Sequence, residues 1–136
     1  ERHYRIGVAA RGYDHPTVTH RVAAFEGVGL RPYAPCHLTA QRNGGDLALA
    51  WVRRTRSDGD GWQAAEVPLG EDREDYLVQV WQGATLLRED RCSAPGWTYP
   101  VAMQSADGAA GPVELRVAQL SASFGAGPTA ALTFVL

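Results

Sequence analysis

From residue 37 onward, apolar and polar side chains alternate with a period of two in one short run after another. Leu47, Leu49 and Trp51 fall on one side of an extended chain, and Ala48, Ala50 and Val52 on the other. Tyr76, Val78 and Val80 alternate with Leu77, Gln79 and Trp81. Val113, Leu115 and Val117 alternate with Glu114 and Arg116, and Phe134 and Leu136 continue the pattern at the end. Period-two alternation is the mark of a half-buried strand. It predicts strands over 37–42, 47–54, 75–82, 84–92, 97–103, 113–119 and 129–136, with no convincing helical period. The punctuation agrees: Asn43-Gly44-Gly45-Asp46, 57–61, Gly83, Ser93-Ala94-Pro95-Gly96 and the small-residue stretch 105–112 read as turns or loops. Gly125-Ala126-Gly127-Pro128 is expected to turn the last hairpin. Short strands between Gly/Pro turns define an all-β antiparallel sandwich. Its expected core is Leu47, Leu49, Trp51, Tyr76, Val78, Val80, Leu115 and Val117.

The first 35 residues read differently. Two short strands, 3–8 and 17–25, flank a turn at Arg11-Gly12-Tyr13-Asp14-His15-Pro16. A two-stranded unit is marginal alone, so this piece is read as the end of a preceding β domain. Residues 27–35 form a linker in which Pro32 and Pro35 prevent helix. The expected division is therefore 1–35 and 36–136, the second part folding without the first.

The chain has 136 residues and a formal net charge of -2, with no basic stripe, which argues against electrostatic capture of nucleic acid. No apolar run reaches the length of a membrane span, and no signal peptide is visible. The start at Glu1, without methionine, suggests a fragment or a processed product. Cys36 and Cys92 either pair or act as small buried apolar groups.

The chemistry is sparse. Asp58-Gly59-Asp60-Gly61 has oxygen ligands at alternate positions but no later glutamate at calcium-loop spacing, so it reads as a solvated turn. Glu71-Asp72-Arg73-Glu74-Asp75 reads as a solvated acidic loop. His3, His15, His20 and His37 have no cysteine or acid at ligand spacing. Ser121 and Ser123 stand in no nucleophile elbow. No catalytic residue, metal set or cofactor site follows. The tryptophans are more informative. Trp51 belongs to the core, whereas Trp62, Trp81 and Trp97 are candidate surface anchors for a sugar ring or a protein contact.

Residues 37–136 resemble a fibronectin type III domain. Leu47-x-Leu49-x-Trp51 is similar to its second strand, Tyr76-x-Val78-x-Val80 to its third, and Leu115-Arg116-Val117 with Gly125-x-Gly127-Pro128 to its sixth strand and last loop. Val113 stands where that family carries a tyrosine, so its tyrosine corner is not expected. A further resemblance spans nearly the whole chain. It is carried by Gly29-Leu30-Arg31-Pro32-x-x-Pro35-x-His37-Leu38, then Trp51-x-Arg53-Arg54-Thr55-Arg56 with Asp58-Gly59-Asp60, and finally Val117-Ala118-Gln119-Leu120-Ser121. This series resembles the C-terminal end of the large tail-tip protein of gene transfer agents, phage-like particles of alphaproteobacteria, similar in role to phage host-specificity proteins. The resemblance implies a structural module of a tail tip or baseplate, assembled in the bacterial cytoplasm and carried in an extracellular particle. It also implies a homotrimer among other tail-tip proteins. The alternative from the tryptophans is a carbohydrate-binding module with a cell-surface glycan as partner. Neither reading is enzymatic.

Overall fold

A computed structural model of the chain describes residues 1–59, 61 and 67–136. Half of the chain is strand and 7% is helix. Two strands, β1 (Arg2–Ile6) and β2 (Thr19–Ala23), form an isolated antiparallel hairpin. The remaining seven are β3 (Cys36–Asn43), β4 (Asp46–Val52), β5 (Tyr76–Gln82), β6 (Thr85–Cys92), β7 (Gly96–Tyr99), β8 (Pro112–Ser121) and β9 (Gly125–Val135). They make a three-stranded sheet, β3-β4-β7, facing a four-stranded sheet, β6-β5-β8-β9. Every pairing is antiparallel. This is a fibronectin type III-like β-sandwich, and its core is the alternating set read from the sequence. Leu47, Leu49, Trp51, Tyr76, Val78, Val80, Leu115 and Val117 are all buried, joined by Tyr99 and Val113. Trp51 meets Tyr76 edge-on at 5.1 Å between ring centres, a favoured aromatic geometry across the two sheets.

Four local expectations are corrected. The run 97–103 is not one strand: β7 ends at Tyr99, and a helix, α1 (Val101–Ala106), follows Pro100. Proline supports that start, because its missing N–H is one no helix would use. The stretch 105–112 is consequently the end of α1 and a short connection. The last hairpin does not turn at Gly125-Ala126-Gly127-Pro128, which already lie in β9. It turns at Ala122-Ser123-Phe124, where the Ser121 hydroxyl accepts the N–H groups of Ser123 and Phe124. The Ser121 hydroxyl holds that turn, and Gly125, with φ 90°, closes it at the start of β9. Proline is tolerated at residue 128 because the β8–β9 register shifts between Ala118 and Leu120, beside it. Within 27–35, residues Val28–Leu30 form one 3-10 turn ahead of the prolines.

The linker docks on the sandwich. Pro32 and Pro35 are buried. A Cβ at Gly127 would stand 2.8 Å from the Pro32 carbonyl oxygen, so only glycine lets the linker cross β9 at that point. Arg56 Nη1 donates to the Gly29 carbonyl, and the Arg54 guanidinium lies 4.9 Å from the Tyr33 ring centre. The hairpin beyond it is exposed throughout most of both strands.

Candidate functional site

The outward face of the four-stranded sheet carries one ordered group of side chains. Outward positions on β5 are Leu77, Gln79 and Trp81, because their neighbours Tyr76, Val78 and Val80 point into the core. The pairing of β5 with β8 sets Trp81 opposite Glu114 and Gln79 opposite Arg116. The pairing with β6 sets Gln79 opposite Glu89. The side chains then connect in series. Gln79 Nε2 donates to Glu89 Oε2 at 2.7 Å, and Trp81 Nε1 donates to Gln79 Oε1 at 3.1 Å. The Arg116 guanidinium lies over the Trp81 ring at 4.8 Å and bonds Glu114 at 2.8 Å. Arg116 also holds the Glu114 carboxyl below the ordinary carboxylate range. Trp81 is half-buried: one face is taken by a guanidinium and its N–H is satisfied within the sheet. Of this series the sequence nominated Trp81 alone; the Arg116 contact with it depends on a pairing register between strands far apart in the chain.

Trp97 is elsewhere. It pairs with Leu49 and so points inward, against the expectation of a surface anchor. It packs at the core edge, stacks on Tyr99 at 5.4 Å, and donates from Nε1 to Asp90 at 3.0 Å. Trp62 lies outside the described residues. The structure therefore does not bring Trp81 and Trp97 into one line.

The flank containing Trp97 is closed by ionic contacts. Arg88 and Asp90 sit on β6 opposite Val80 and Val78, so both face inward at a sheet edge. Arg88 donates to Asp107 through Nε at 2.6 Å and Nη2 at 2.8 Å, and the Tyr99 hydroxyl donates to the same carboxylate at 2.7 Å. Arg88 lowers the Asp107 pKa, while burial, followed by that hydrogen bond, raises the Tyr99 pKa. This fork fastens α1 to β6 and gives a buried tyrosine its anchor, although Val113 replaces the family tyrosine.

The acidic stretch 71–75 is not simply a solvated loop. Glu71 pairs with Arg56 at 3.0 Å and is 6% exposed; Glu74 pairs with Arg53 at 3.4 Å and accepts the Tyr76 hydroxyl at 2.7 Å. Burial, followed by the Glu74 bond, pushes the Tyr76 hydroxyl pKa up. The arginines of the Trp-x-Arg-Arg-Thr-Arg run thus clamp the ends of the long β4–β5 connection. Asp58 has a left-handed backbone, φ 54°, and Asp60 lies outside the described residues.

The histidines of the hairpin pair across strands, not along the sequence. His3 and His20 stack at 5.2 Å with ring nitrogens 3.0 Å apart, while His15 contacts Thr17. Among the described residues, no three His, Cys, Asp or Glu side chains gather as metal ligands, and no helix is long and apolar enough to cross a membrane. Cys36 and Cys92 are free thiols, and burial raises the Cys92 pKa.

No protein-family model and no curated protein matches the chain. Solved structures do. The extracellular region of rat CD45, domains d3-d4, superposes with a TM-score of 0.53 at 12% identity over 99% of this chain; the chain spans 64% of that one. The twitchin kinase region from C. elegans, which includes Fn31, matches with a TM-score of 0.52 at 12% identity, over 77% of this chain and 16% of that one. At such identity the likeness establishes the fibronectin type III-like fold.

Proposed function

We propose that this chain is a non-catalytic interaction module of a phage-like tail tip, spacing and docking baseplate or tail-tip proteins around a homotrimer and contacting the recipient cell surface. The particle reading comes from the sequence series around Arg31-Pro32 and Trp51-x-Arg53-Arg54. The observation that carries the interaction reading is the Glu89–Gln79–Trp81–Arg116–Glu114 series. Tryptophan and arginine are the residues most often found at the energetic centres of protein interfaces. Here both are held in one geometry before any partner arrives, which lowers the entropy cost of docking.

The test uses Trp81→Ala and Arg116→Ala in the complete protein. Both should leave circular dichroism unchanged. Both should reduce its incorporation into particles, or the attachment of particles to recipient cells, since such an anchor contributes ~2 kcal/mol or more when a partner buries it. Normal assembly and attachment by both variants would remove the proposed contact. Turnover of a cell-wall or capsule polymer by the purified chain would remove the non-enzymatic reading.

A further inference from the structure

The four-stranded sheet has two edges, and they are built in opposite ways. β6 carries four consecutive charges, Arg88-Glu89-Asp90-Arg91, two of them facing inward. Charges and inward-pointing ionic side chains are how sheets prevent edge-to-edge pairing. β9 has none of this. It runs for 11 residues, Gly125–Val135, and no charged residue occurs from Val117 to Leu136. The linker crosses β9 at Gly127, and Arg42 from β3 donates to the Val135 carbonyl. Between these two points, among the described residues, no hydrogen bond from outside β8 reaches the β9 backbone. Every second N–H and C=O of that stretch points away from β8. β3 passes beside this edge without pairing to it, and Pro128 and the register shift blunt only its start; the uncharged stretch from Thr129 to Thr133 remains able to template a further strand.

The sequence of the open stretch indicates which strand. Thr129-Ala130-Ala131-Leu132-Thr133 reads nearly the same in both directions about Ala131. Pairing it antiparallel with itself across a two-fold axis at Ala131 sets Ala131 against Ala131 and Thr129 against Thr133 on the outward face. Threonine pairs are favourable cross-strand neighbours, and no like charges meet. On the inward face Ala130 comes opposite Leu132, a side chain only half-buried in the single chain. We infer that the β9 edge is a self-association surface, through which two copies join their four-stranded sheets into one of eight strands. An isologous contact of this kind closes on two copies. It needs no part of the tail-tip reading, and its two-fold contact is an alternative to the homotrimer proposed there.

The experiment is sedimentation equilibrium of the whole chain from micromolar to millimolar concentration, with circular dichroism to confirm folding. The unaltered chain should show a monomer–dimer equilibrium. Ala131→Lys sets two like charges face to face and should abolish the dimer over the same range. Thr129→Lys with Thr133→Lys should do the same. Thr129→Glu with Thr133→Lys places an acid opposite a base at both ends and should retain the dimer. That last pair of variants checks the register, because both change the same two exposed positions. A monomer at millimolar concentration would overturn the inference; so would a trimer, the state expected on the tail-tip reading. So would identical behaviour of the Lys/Lys and Glu/Lys chains.

Discussion

The two flanks of the sandwich reach closure by different means. On the β6–β7 flank, Arg88, Asp107 and Tyr99 form a three-membered fork, and Trp97 reaches across to Asp90. On the β3–β9 flank Arg42 spans the gap: it lies 5.6 Å from the Phe134 ring centre and bonds the Val135 carbonyl. Leu132, Phe134 and Leu136 stay half-buried there. The same seven-stranded architecture is therefore sealed with partly buried polar contacts on one side and left thinly covered on the other. A partly buried charge that loses its partner costs more than an exposed pair gains. The β6–β7 flank should accordingly be rigid, and the β3–β9 flank available.

That contrast presupposes a common core between the flanks. Trp51→Ala should remove it, costing ~3–5 kcal/mol in urea unfolding, the usual loss for a buried aromatic truncated to alanine. An unchanged unfolding midpoint would take Trp51 out of the core.

Asp107→Ala should come next, at about 2–3 kcal/mol, because Arg88 and the Tyr99 hydroxyl both lose a charge-assisted partner. The pH dependence sharpens the point. The folded Asp107 pKa lies below its unfolded value, so its stabilisation is complete above the ordinary aspartate pKa, about 3.9, and disappears as pH falls through the folded value. Thermal unfolding between neutral pH and about pH 2 should show the unaltered chain converging on Asp107→Ala as the acid limit is approached. A constant gap between the two would assign the loss to packing instead of charge.

Arg42→Ala, on the open flank, should cost only about 0.5–1 kcal/mol, the range for one exposed cation–π contact. Hydrogen exchange should then quicken at Phe134 and Val135 and stay unchanged in β6. A loss equal to that of Asp107→Ala would erase the distinction between the flanks.

The sequence carried the core because burial and strand alternation are the same signal through β4, β5 and the first half of β8; the alternation fails after Val117, where Ala118 and Gln119 are both buried beside the register shift. It carried less where a segment was too short to show a phase. β7 has four residues, so Trp97 could not be assigned a face, and α1 has six, too few for a helical period. The site depended on pairing. That Trp81 points outward was legible within β5. That Arg116 covers it was not, because nothing local states that residue 81 will lie opposite residue 114. The acidic stretch 71–75 likewise looked solvated until the chain returned Arg53 and Arg56 to meet it.

The crossing of Pro32 over Gly127 has a mechanical consequence. Tension arriving from the hairpin does not first reach the end of β3, where it could unzip β3 from β4 one bond at a time. It meets the linker, held by Arg56 at Gly29 and seated on β9 at Gly127. These contacts lie on β9 and on the connection after β4, so the pull enters the fold through the four-stranded sheet and that connection before it reaches β3. A side chain at residue 127 would lift the linker from its seat and turn that shared grip into a tether ending on β3 alone.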